Sequence, residues 1–134
     1  MRYARRLLVL VVVLISAACA ADSTGTGTPG GSSTLLLQLS TTHTDDGAVL
    51  FQVTGPAIDT IVAVNGSLRL FTRRANDSTI VGAVLGDVAA GAVATLRVPA
   101  AGATGAYTAR VLDVADRQNV LRDSLAGYAM TVTH

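Results

Sequence analysis

The sequence predicts an all-β domain, an antiparallel β-sandwich of about seven to nine strands, set behind an apolar leader and a flexible linker. Three observations predict it. Short runs of Val, Ile, Leu, Thr and aromatic residues recur after residue 33, separated by Gly, Asn, Asp and Pro, a spacing typical of sandwiches and barrels. Several runs alternate apolar with polar residues, the period of two that turns one side of a strand toward a core. Beyond the leader, no apolar stripe of helical period runs longer than a turn.

The candidate strands, in order, are residues 34–40, 48–54, 61–64, 67–73, 79–85, 92–98, 106–114, 119–122 and 128–133. Val49, Phe51 and Val53 form one core-facing stripe, Ala94, Leu96 and Val98 a second, and Tyr107, Ala109 and Val111 a third. Asn65-Gly66 is the pair a two-residue type I′ hairpin prefers, because both positions need positive φ. It is expected to join 61–64 to the following strand. Asp45-Asp46-Gly47, Gly55-Pro56, Asn76-Asp77 and residues 100–105 and 116–119 supply the other turns. Residues 86–91 (GDVAAG) have room for one helical turn.

The 134 residues divide into an apolar leader (1–18), Cys19 with a linker (19–33) and a single domain (34–134), a length suited to one core. Three of the ten arginines lie in the leader. The remainder carries seven Arg against nine Asp, with no Lys or Glu, so the net of +1 for the whole chain becomes −2 after residue 18. No basic stripe is left to neutralise phosphates, which argues against nucleic acid as a partner. The single cysteine excludes an intrachain disulfide, and an odd thiol in an exported chain asks for another role.

Residues 1–6 are basic, 7–15 (LLVLVVVLI) are apolar, and Ser16-Ala17-Ala18-Cys19 follows, the order of an export signal with a small-residue cleavage site. The uncharged stretch 7–21 falls short of the roughly 18 residues that cross a bilayer as a helix. Arg5-Arg6 lacks the preceding polar residue of a twin-arginine signal, which leaves general secretion. Ile15-Ser16-Ala17-Ala18-Cys19 resembles the lipobox of bacterial lipoproteins, with Ser16 where Leu is most usual. The resemblance implies that Cys19 becomes the first residue, takes a diacylglycerol on sulfur and an acyl chain on its amine, and holds the chain at a membrane. More than one chain is needed for stable anchoring, since a single acyl chain binds reversibly. Ala20 stands where Asp marks inner-membrane retention in that family, so the implied location is the outer membrane where the cell has one, and otherwise the outer face of the cell membrane. An ordinary secreted protein with an incidental cysteine is the competing reading.

Residues 22–33 (DSTGTGTPGGSS) read as a tether. Twelve such residues span roughly 20 Å root-mean-square, room for the domain to turn freely or simply to clear the headgroups. The succession of strands from residue 87 through 107–114 to 128–133 resembles the cohesin-like sandwiches of bacterial surface proteins, within the broader immunoglobulin-like architecture. That resemblance implies binding of another protein through a sheet face and no chemistry; it carries over no contact residue.

Candidates for chemistry are few. With Cys19 acylated, the nucleophile and metal inventory reduces to His43, His134 and the aspartates. His43 with Asp45 or Asp46 lacks the strained elbow of a serine hydrolase, and no His-x-x-x-His or Cys/His spacing suits a metal. Asp45-Asp46 and Asp113-x-x-Asp116 could offer oxygens to Ca²⁺, outside any EF-hand pattern, or simply initiate turns. No catalytic residue, cofactor or metal ligand is expected. The mature chain has no Trp, and its aromatics are Phe51, Phe71, Tyr107 and Tyr128. Phe71 shares a strand face with Arg69 and Arg73. That stripe suits a protein-binding hot spot or a charged guard against edge-to-edge aggregation. The expected function is a lipid-anchored, non-enzymatic envelope protein that touches the membrane through Cys19 and another envelope protein through Arg69, Phe71 and Arg73. A solute- or glycan-binding lipoprotein is the alternative and a small hydrolase the remote one. Asn65-Gly66-Ser67 and Asn76-Asp77-Ser78 match the N-glycosylation triplet, without weight beside a bacterial lipobox.

Overall fold

Leu35, Leu37 and Leu39 occupy alternate positions, so an extended backbone points all three the same way. In the computed structural model, which describes residues 31–99 and 104–134, all three are buried on strand β1 (Ser32–Ser40). Facing them from a second sheet are Val49, Phe51 and Val53 of β2 (Asp46–Thr54), each fully buried. The remaining strands are β3 (Thr60–Ala63), β4 (Arg69–Asn76), β5 (Thr79–Val88), β6 (Gly91–Pro99), β7 (Thr108–Asp116) and β8 (Ala129–Thr133).

The first sheet has the order β3-β6-β1-β8 and the second β4-β5-β2-β7, and every pairing is antiparallel. The domain is a β-sandwich. One hydrophobic core lies between the sheets, with Leu96 and Val98 of β6, Val84 of β5, Val114 of β7 and Met130 of β8 among its members. Each fully buried side chain of this size contributes about 2 kcal/mol of transfer free energy. On β5, Gly82 is buried directly over the Phe51 ring, in the space a Cβ would take.

All three expected stripes face inward, the third with a break. On β7 the pairing slips between Leu50 and Phe51 of β2, which pair with Asp113 and Val111. The extra residue is Leu112, and beyond this bulge Val114 takes the inward position. A bulge resets the alternation in this way.

Four local expectations are corrected. Asn65-Gly66 does not close a hairpin, because β3 and β4 lie in different sheets and neither residue has positive φ. The segment carries the chain across the sandwich instead, with Asn65 Oδ1 bonded to Ser67. The one connection within a sheet is β4–β5, turned by Asp77 and Ser78. Residues 86–91 form no helical turn: β5 continues to Val88 and a bend leads into β6. The run at 119–122 contributes only an isolated bridge between Leu121 and Ala115, because Asn119 adopts φ 64° and Asp116 Oδ1 accepts the backbone N–H groups of Gln118 and Val120. Ser32 and Ser33, read as tether, already pair with Pro99 and Val98. Cys19 and the rest of the leader and tether lie outside the described residues, among which no helix is long and apolar enough to cross a membrane.

Candidate functional site

The second sheet turns its outward face to solvent, and its strand register fixes what that face displays. One cross-strand row runs Phe71, Ala83, Leu50, Asp113; a second runs Arg73, Val81, Gln52, Arg110; a third runs Arg69, Leu85, Ala48, Ala115. Residues level with one another across a sheet lie about 5 Å apart, so the pattern is an apolar centre with arginines at the sides. Phe71 is 61% exposed, Leu85 38% and Leu50 37%. Arg69, Phe71 and Arg73 are brought together as the sequence suggested, all three exposed, on the edge strand β4. A shallow depression of about 220 Å³ lies against Phe71, Leu50 and Gly82.

Sequence reading did not place Arg110 in this group. Its guanidinium donates to Gln52 Oε1 at 2.9 Å, on the same outward side as Arg73, three strands across at the opposite edge of the sheet. Sequence spacing carries no trace of this, because β7 reaches the face only through its pairing with β2. Asp113 is the one carboxylate in the three rows, and its Oδ1 accepts the backbone N–H of Val114.

A second constellation lies at one end of the sandwich. Asp46, read from sequence as part of a turn, is inside β2 at the bulge between Asp46 and Ala48 and is fully buried. The bulge brings Gly47 so close to the backbone of Asp116 and Arg117 that a Cβ there would overlap it. The Asp46 carboxylate accepts from Arg122 Nε (3.2 Å) and NH2 (2.8 Å) and from the Tyr128 hydroxyl (2.8 and 2.9 Å). Arg122 also bonds Asp45 at 2.6 Å. The bond to Arg122 holds the Asp45 carboxyl below its ordinary value. Bonds to Asp46 and then Asp45 push Arg122 up, and burial, followed by the bond to Asp46, pushes Tyr128 up. His43 stacks flat on Tyr128, ring centroids 5.2 Å apart.

The chemistry of this cluster is that of a clasp. Both carboxylates are committed to a guanidinium, which satisfies the one buried charge among the described residues, Asp46, and ties the 117–128 segment to β2. Asp45 and Asp46, considered from the sequence as oxygens for Ca²⁺, both bond Arg122 here. At the other candidate, Asp116 caps its own loop and Asp113 its own strand. No group of three or more His, Cys, Asp or Glu among the described residues is placed to hold a metal ion.

A groove of about 430 Å³ opens between β7 and β8, lined by Thr104, Thr108 and Thr131 together with Tyr107 and Met130. The Tyr107 hydroxyl is already engaged, donating to the Ala57 carbonyl at 2.8 Å. No protein-family model, no curated protein and no solved structure matches the chain.

Proposed function

We propose that this chain is a lipid-anchored, non-enzymatic protein of the bacterial cell envelope, held by Cys19 and presenting its sandwich to another protein through the outward face of the second sheet. The observation that carries the binding reading is Phe71, exposed between Arg69 and Arg73 on an edge strand and level with Leu50. Covering such a patch recovers about 25 cal/mol for each Å² of apolar surface removed from water. Arginines around an aromatic are favoured where proteins meet. With Arg69, Arg73 and Arg110 against Asp113, the face carries positive charge on a domain that is otherwise slightly acidic. It therefore suits a partner with carboxylates around an apolar centre. The anchoring reading is supported by the order of residues 1–19: basic, apolar, small, cysteine.

Two experiments test the two halves. A photo-crosslinking amino acid at Phe71, expressed in a bacterium with an envelope of this kind, should give a discrete protein adduct. The same residue at Val62, 55% exposed on the edge of the first sheet, should give none. Equal labelling from both positions, or none from Phe71, refutes the binding face. For the anchor, intact mass of the membrane-fraction protein should show a diacylglycerol gain that Cys19→Ala abolishes. An unmodified wild-type chain in the soluble fraction refutes it.

A further inference from the structure

Asn65-Gly66-Ser67 and Asn76-Asp77-Ser78 are one local structure built twice. In each, the asparagine Oδ1 accepts from both the backbone N–H and the hydroxyl of the serine two residues on. The distances are 3.0 and 2.5 Å at Asn65 and 2.9 and 3.0 Å at Asn76. Both asparagines are exposed. They differ in the residue between. At 66 it is a glycine, and the place a Cβ would occupy has no heavy atom within 4 Å. At 77 it is an aspartate.

We infer that Asn65 is a site of spontaneous intramolecular deamidation and that Asn76 is its slow counterpart in the same chain. The Gly66 backbone nitrogen, having lost its proton to base in the solvent, attacks Asn65 Cγ. A new N–Cγ bond forms, the bond from Cγ to the side-chain nitrogen breaks, and ammonia leaves with a proton from water. The five-membered imide then takes up water. Addition at Cγ opens the ring to aspartate, whereas addition at the backbone carbonyl opens it to isoaspartate. The net change is one water consumed and one ammonia released, with no oxidant or cofactor.

Each feature of the turn acts on one part of this sequence. Negative charge develops on Oδ1 during the attack, where the two Ser67 donors are already aimed, the arrangement that stabilises an oxyanion. Gly66 leaves the attacking nitrogen uncrowded and its backbone free to close the ring. At the second turn the Ser78 donors are the same, but the Asp77 side chain crowds the nitrogen and its carboxylate opposes formation of a neighbouring anion. The pair therefore isolates the contribution of the middle residue. Asn119, followed by β-branched Val120, is a further reference position in an exposed turn.

The test is peptide mapping by mass spectrometry of the folded protein sampled over time in mildly alkaline buffer. Asn65 should convert at least tenfold faster than Asn76, equivalent to about 1.4 kcal/mol in barrier, and Asn119 more slowly than either. Gly66→Ala, tolerated because Gly66 does not have positive φ, should bring Asn65 down to about the rate of Asn76. Ser67→Ala should slow it several-fold while leaving Asn76 unchanged; circular dichroism identifies any variant that has not folded. Equal rates at Asn65 and Asn76, or a Gly66→Ala chain as fast as wild type, overturn the assignment. So does an Asn65 that stays intact in the folded protein while the peptide released by digestion deamidates, because the turn would then lock the amide.

Discussion

Replacing Tyr128 by Phe removes one oxygen and little else. The ring keeps its packing and its stack on His43, but the hydroxyl that donates to both oxygens of Asp46 is gone. Asp46 is fully buried: its side chain has no accessible surface, and Arg122 reaches only Oδ1. Oδ2 thus loses its protein donor in a place where burial makes an unpaired acceptor expensive. A hydrogen bond to a charged group contributes about 1.5–3 kcal/mol, against about 1 kcal/mol for one between neutral groups. Tyr107→Phe supplies the neutral comparison, since its hydroxyl donates to the Ala57 carbonyl. For a domain near 100 residues, 1 kcal/mol moves Tm by roughly 4–8 °C. Tyr128→Phe should therefore lower Tm by roughly 10 °C and Tyr107→Phe by roughly half of that. Thermal unfolding followed by circular dichroism, with urea titration to check that the m-value is unchanged, measures both. A Tyr128→Phe protein at least as stable as Tyr107→Phe would refute the claim that the buried carboxylate depends on this donor.

Two further outcomes follow from the same structure. Gly82→Ala puts a methyl into the Phe51 ring in the middle of the core and should cost about 1–3 kcal/mol in urea unfolding, as overpacking does; a neutral result would mean that the ring moves aside freely. Stability should also fall at both ends of the pH scale. Asp45 is held below its ordinary value by Arg122, so its contribution is present above about pH 3.9 and is lost as pH falls through the lower folded value. Tyr128 is pushed up, chiefly by burial, so its contribution is present below about pH 10 and is lost as pH rises through the higher folded value. Urea midpoints measured across pH should show the acid slope shrink in Asp45→Asn and the alkaline slope shrink in Tyr128→Phe. Added salt should weaken the first, because Asp45 is exposed and its ion pair is screened.

The sequence by itself determined the class of fold, most of the strands and their inward stripes. Val49, Phe51 and Val53 could be assigned to a core because alternation is a property of one extended strand, set by backbone geometry without reference to any partner. The same holds for Phe71, whose place beside Arg69 and Arg73 on one side of β4 needs only that period. Pairing was not legible. Asn65-Gly66 and Asn76-Asp77 form the same Asx turn, yet one crosses between sheets and the other closes a hairpin, because the choice depends on where β3 and β4 bury their apolar sides. The β7 bulge at Leu112 arises from register against β2, and it decides that Val114 faces in and Asp113 out. Arg110 joins the outward face only through that register. The fate of Asp46 was the least visible: its partners lie 76 and 82 residues away, on a segment whose path is set by the Asn119 turn and the Leu121 bridge. Side-chain direction along one strand is local physics and is written in the order of residues. Which strands meet, and which charge a buried carboxylate finds, is decided by the packing free energy of the whole sandwich.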